Sequence, residues 1–176
     1  MKTKSFVSIF VLAGLAFGAV FYSTSFGAPA EPLYIKRWLG GDPVVLSDGK
    51  GDNVFVIEFW ATCCPACHMT IPHLSELQRR YEDDGLVVVG VTDEDPGLIE
   101  SFRSNWESPI EYRFAIDDDG RTAGGYVANY GIDYVPAAFV IGRDGRIAWY
   151  GHPLDRSFEK AVKAALDRKP SDQVPD

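Results

Sequence analysis

The chain has 176 residues, 46% of them hydrophobic and 24% charged, the balance of one soluble globular domain with a core that needs no stapling. Its net charge of −8 becomes −10 without the first thirty residues, whose only charges are Lys2 and Lys4. Such a surface argues against a nucleic-acid partner and offers no basic patch to anionic lipid. Three cysteines, all between positions 63 and 67, are too few and too clustered for a framework joining distant segments, so they point to chemistry.

Residues 1–30 read as an export element. Lys2 and Lys4 precede an apolar run over 6–22, and Ala28-Pro29-Ala30 offers small residues at the −3 and −1 positions of a cleavage before Glu31. This 17-residue run, apolar apart from Ser8 and small residues, is at the lower edge of a membrane span, so a cleaved signal peptide and a membrane anchor both stay open. In either case the positive end stays inside and the domain is carried outside.

Extended sequence at 33–39 is followed by a Gly-Gly-Asp-Pro turn, a short strand at 44–46 and a turn over 47–52. The run 54–60 reads as a strand buried on both faces. From Pro65 onward, Ile71, Leu74, Leu77 and Tyr81 follow helical spacing with Gln78 as a polar exception, and Pro72 predicts a kink rather than an end. A second buried strand covers 86–92. Asp95-Pro96 starts a helix with Leu98, Ile99, Phe102 and Trp106 on one face. A strand at 112–116, a helical stripe of Ala123, Tyr126, Val127 and Tyr130, and a hairpin of 137–141 and 146–150 come next. Asp155 is placed to cap a last helix carrying Phe158, Val162, Ala165 and Leu166, and 171–176 reads as a disordered tail. Alternating strands and helices closed by a hairpin predict an α/β sandwich around a central mixed sheet.

Cys64 and Cys67 are three apart at a strand-to-helix junction. That spacing lets a disulfide close within one helical turn, and it places Cys64 where unpaired N–H groups and the helix dipole favour a thiolate. His68 and His73 flank the same helix, where a lone histidine is ordinarily packed or solvated, and His152 reads as a loop residue.

The string Val56-Ile57-Glu58-Phe59-Trp60-Ala61-Thr62-Cys63-Cys64-Pro65-Ala66-Cys67 is followed by Pro72 and, downstream, by Tyr134-Val135-Pro136-Ala137-Ala138-Phe139. Together they resemble the thioredoxin superfamily, and most closely its exported, often membrane-tethered disulfide reductases of the TlpA/ResA type. The likeness covers about 33–168 of a domain expected over 31–170, with 95–116 resembling a helix–strand insertion. It implies a thioredoxin-like fold, a redox-active Cys64–Cys67 disulfide and no cofactor or metal.

By the same resemblance, Cys64 is the nucleophile and Cys67 the resolving thiol, with Pro65 and Ala66 tuning the potential between them. Glu58 matches a buried carboxylate that takes a proton from Cys67. Its alternative is an edge position, or a side chain reaching solvent at the strand end. Val135-Pro136 matches the cis-proline loop that faces the cysteines and pairs with an extended substrate segment, against an ordinary trans turn. Trp60 goes with the substrate-binding residues as a shield over the sulfurs, or with the core. The implied partners are protein disulfides, apocytochrome c among them, and a membrane thiol-electron donor. The implied place is outside the cytoplasm, and reduction over oxidation rests on the resemblance alone.

One position departs from the pattern. The family usually has tryptophan immediately before the nucleophile, and this chain has Cys63, either an auxiliary thiol or a free cysteine used as a small apolar residue. Three other readings compete. Cys64-Pro65-Ala66-Cys67-His68 spells a c-type haem attachment string, but Met69 beside the histidine is wrongly placed as the opposite axial ligand. Cys63 and Cys67 have the spacing of copper-binding thioredoxin relatives, but no histidine lies between residues 74 and 151 to complete the set. A thiol peroxidase would carry threonine three residues before its cysteine, and Thr62 is two before Cys64.

Overall fold

The computed structural model describes residues 27–46 and 51–168. The expected leader or anchor up to residue 26, residues 47–50 of the expected 47–52 turn and the 171–176 tail lie outside them. In chain order the elements are β1 (Ile35–Leu39), β2 (Val54–Phe59), α1 (Pro65–Tyr81), β3 (Leu86–Thr92), α2 (Pro96–Asn105), β4 (Arg113–Asp117), α3 (Arg121–Ala123), β5 (Ala137–Ile141), β6 (Ile147–Gly151) and α4 (Phe158–Asp167). α3 runs on into a π-helical turn, Gly124–Ala128.

The strands form one sheet in the order β1-β4-β3-β2-β5-β6. β2, β3 and β4 are mutually parallel, while β1, β5 and β6 join antiparallel, so the sheet is mixed and the chain has a thioredoxin-like α/β fold. β2 lies at its centre with all six residues buried. Val54, Val56 and Trp60 pack with Ile71, Leu74 and Leu77 of α1 and Phe158 and Val162 of α4. Phe55, Ile57 and Phe59 face the other way, onto Tyr126, Phe139 and Ile141. Strict alternation therefore puts Glu58 on the α1 face, beneath the cysteines.

Gly90 of β3 lies in register with Glu58. A Cβ there would come within 2.6 Å of the Phe114 ring and 3.0 Å of Trp60 Nε1. The missing side chain lets Phe114 lie against Trp60, with ring centroids 4.4 Å apart. Gly90→Ala should therefore destabilise the fold by about 1–3 kcal/mol through overpacking, measured as a shift in the urea midpoint.

Four expectations need correction or extension. Residues 44–46 form no strand: Val44 and Leu46 lean on the second core cluster while Val45 is 78% exposed, so alternation is satisfied by packing without a ladder partner. Leu98 is 48% exposed, because α2 buries only a narrow stripe through Ile99, Phe102 and Trp106 and Leu98 is rotated off it. Asp155 does not cap α4 through its side chain. Its backbone carbonyl accepts from Phe158 N at 3.0 Å, and Ser157 stands at the cap position. The folded body also takes in residues 27–30, since Gly27 N donates to Ile147 O, Ala30 N to Gly145 O, and Ile147 N to Ala28 O.

Pro72 lies inside α1, which continues past it to Tyr81. Among the described residues, no helix is long and apolar enough to cross a membrane.

Candidate active site

α1 begins where β2 ends at the C-terminal edge of the sheet, and its start is built by sequence-local chemistry. Cys64 is the N-cap in extended conformation, its sulfur accepting from Cys67 N at 3.1 Å, and Pro65 occupies the first turn where a missing N–H costs nothing. No acidic side chain stands in that turn, so the helix's own first turn leaves the positive end of its dipole beside Cys64 unneutralised.

Cys64 and Cys67 are joined in a disulfide with Cα atoms 5.2 Å apart, inside the usual range. Their environments differ. Cys64 is half-buried, whereas Cys67 has no exposed surface. Only the first sulfur can be reached from solution. Cys63 is exposed and free.

The Val135–Pro136 bond is cis, and Cys64 Sγ lies 3.6 Å from Val135 O. Tyr134 and Val135 are 48% and 41% exposed beside it, while Pro136 is buried. Val135 thus presents both backbone and side chain next to the accessible sulfur. Trp60 does not reach this surface. It is 2% exposed, stacks on Phe114 and touches Phe102, so it belongs to the core below the site and leaves no face open to a substrate.

Glu58 is completely buried in the central strand, not at an edge. Thr70 Oγ1 lies 2.5 Å from its Oε1, and the Tyr112 hydroxyl donates to its Oε2 at 3.3 Å. Thr70 Oγ1 also reaches Cys67 O at 2.8 Å, tying the carboxyl to the peptide of the buried cysteine. Burial pushes the Glu58 carboxyl up to about 7, against the smaller lowering effect of hydrogen bonds from Thr70 and Tyr112. Tyr112 is held well above the ordinary tyrosine range by burial and then by Glu58, and stays a donor.

The loop before Cys64 is gripped from both sides. Glu94 accepts from Thr62 N and from Thr62 Oγ1, each at 2.7 Å, and from Thr92 Oγ1 at 3.2 Å. His68 Nε2 sits 2.7 Å from Thr62 O, and its ring packs against Phe102 and Trp106. This arrangement commits the histidine of the haem-like string to the protein's own backbone. His73 packs near Phe158, where burial lowers its pKa, and His152 Nδ1 accepts from Leu154 N in a loop. In the Cys63/Cys67 copper alternative, Cys67 is already bonded to Cys64. Among the described residues no cluster of three His, Cys, Asp or Glu could hold a metal ion.

The expected residues Glu58, Cys64, Cys67, Val135 and Pro136 converge on one end of the sheet. Thr70, Tyr112, Thr62 and Glu94 were not anticipated. Thr70 had a local signal, a hydroxyl one helical turn after Cys67 on its buried side. Tyr112 and Glu94 reach the site across 54 and 32 residues and had none.

A family model described as AhpC/TSA matches residues 27–150. The thiol-disulfide oxidoreductase ResA of Bacillus thuringiensis subsp. konkukian is 28% identical over 117 residues, covering 66% of this chain and 64% of that protein. The chain thus spans a little under two thirds of such relatives' length. ResA of Halalkalibacterium halodurans is 28% identical over 159 residues, 83% of this chain and 85% of the relative. A solved thiol:disulfide interchange protein of the thioredoxin family from Chlorobium tepidum superposes with a TM-score of 0.61 at 25% identity, covering 80% of this chain and 96% of its own.

Proposed function

This chain belongs to the AhpC/TSA family, with a likeness to ResA inside it, and we propose on that footing that it reduces protein disulfides outside the cytoplasm through Cys64 and Cys67. One observation carries the reading. The two sulfurs form a disulfide at a helix N-terminus, one reachable and the other sealed above a buried carboxyl.

In the reduced protein the Cys64 thiolate attacks a substrate disulfide. Its sulfur bonds to one substrate sulfur, the substrate S–S bond breaks, and the departing sulfur takes a proton from water. Cys67 then gives its proton to Glu58 and attacks Cys64 Sγ, so that the mixed disulfide breaks and the second substrate sulfur leaves. Two electrons have passed from the dithiol to the substrate. Glu58 suits the base's part because burial holds its carboxyl near neutrality, where it can both accept and release a proton. An extended substrate segment pairs with the exposed backbone of Val135 beside Cys64.

The location is supported by the basic start, the apolar run over 6–22 and the likeness to ResA. The TlpA/ResA resemblance further supports a membrane thiol transporter as electron donor and apocytochrome c as a substrate. A glutathione redox titration with mass mapping of the paired cysteines tests the core of the reading. A two-electron transition of Cys64 and Cys67 near about −270 mV is expected, whereas one near about −120 mV makes the protein an oxidant.

A further inference from the structure

The Glu58 cluster holds a hydrogen-bonding arrangement that is one hydrogen short when the carboxyl is ionised. Thr70 Oγ1 has two oxygen partners, Glu58 Oε1 at 2.5 Å and Cys67 O at 2.8 Å. A threonine hydroxyl carries a single hydrogen, and a backbone carbonyl can only accept. Which contact is the donated one therefore depends on where the carboxyl proton is. When Glu58 is protonated, its O–H donates to Thr70 Oγ1, and Thr70 passes its own hydrogen to Cys67 O. When Glu58 is ionised, it can only accept, so the Thr70 hydrogen turns to Oε1 and the bond to Cys67 O is given up.

We propose that Thr70 is a positioning residue whose hydroxyl switches its hydrogen between Glu58 and the Cys67 carbonyl as the carboxyl gains or loses its proton. The switch deepens the dithiol reading above, on which its use in turnover rests, but its existence does not depend on that activity. The balance is one carboxyl proton exchanged with the surroundings and one hydroxyl rotated, with no other bond made or broken.

The other groups around Glu58 do not perform this role. Tyr112, from the segment before β4, remains a donor to Oε2 in both states because burial keeps its hydroxyl protonated. β3 and β5 place Gly90 and Ala138 in register beside it, neither of which can titrate. On its own strand the same face carries Val56 and Trp60. On α1 the titratable neighbour is Cys67 itself, and in the disulfide it has no proton to exchange. The oxidised protein therefore isolates the Glu58–Thr70 equilibrium.

For the chemistry, the consequence is that each proton accepted by Glu58 is reported to the peptide of the cysteine that supplied it. The resolving cysteine's carbonyl gains a hydrogen bond as its thiol is deprotonated.

The test is a carbon-13 NMR titration of the oxidised protein, following the Glu58 carboxyl and the Cys67 carbonyl. In wild type both resonances should move with one midpoint. In Thr70→Val, which keeps the shape and removes the hydroxyl, the Cys67 response should vanish, and the Glu58 midpoint should rise because the ionised carboxylate loses a charge-assisted donor while the acid loses only a neutral acceptor. Thr70→Ser should restore both. A Cys67 carbonyl that stays flat in wild type overturns the proposal, and this needs no variant to fold. A Cys67 response that persists in Thr70→Val, or is lost in Thr70→Ser, overturns it too. Either failure leaves the oxidoreductase reading to stand or fall on the glutathione titration.

Discussion

Cys64→Ser should lower disulfide reduction by at least about a thousandfold, because it removes the sulfur that a substrate can reach and leaves a hydroxyl with no base to activate it. Cys67→Ser should fail differently. Its Cys64 can still attack, but nothing resolves the product, so the protein should accumulate as a covalent mixed disulfide with its substrate on a non-reducing gel. The asymmetry follows from burial, since Cys64 is half-exposed and Cys67 is sealed. If the two variants trap substrate equally, the assignment of attacking and resolving sulfurs is wrong. Cys63 is free and outside the pair, so Cys63→Ser should trap nothing and retain turnover within about twofold.

The second large effect is on stability and its dependence on pH. In the unfolded chain Glu58 ionises near its ordinary value of 4.5, and in the folded protein near about 7, with burial as the leading cause. Between those values the folded state binds more protons than the unfolded one, so stability falls as pH rises through that window and levels off above it. The loss is on the order of 3 kcal/mol, from 1.36 kcal/mol per unit of displacement. Glu58→Gln should remove that slope and be the more stable protein at pH 8, measured by urea unfolding of the oxidised forms from pH 4 to 8.5. The glutamine can still satisfy the surrounding groups, since its amide can donate to Thr70 while its carbonyl accepts from Tyr112. The same change should slow resolution about a hundredfold by deleting the base. Parallel stability curves for the two proteins would contradict a neutral buried carboxyl at this position.

That position shows how far a linear reading reaches. Glu58 stands out as an acid in an apolar strand, and period-two alternation assigns it to the face of Val54 and Val56. Its burial follows only because β3 and β5 flank β2 and α1 covers it. The strands over 86–92 and 137–141 were legible for a related reason: their apolar runs are continuous, as central strands buried on both faces require. The segment 44–46 is likewise continuously apolar but has no neighbouring strand to pair with, and so it stays irregular. Asp155 carries a capping side chain at a plausible distance from Phe158, yet a backbone carbonyl fills the turn first.

The amino-acid order alone determined the parts of this protein that depend on neighbours along the chain. These are the cysteine pair within one helical turn, the helix start at Pro65, the core strands and their buried faces. Tertiary structure alone decided what surrounds the sulfurs. Tyr112 meets Glu58, Glu94 fastens Thr62, and Val135 comes against Cys64 only once β2, β3, β4 and β5 are paired and α1 is packed on them. The reason is physical: local spacing fixes short-range geometry, whereas the protonation of a buried acid depends on desolvation by residues arriving from everywhere in the fold.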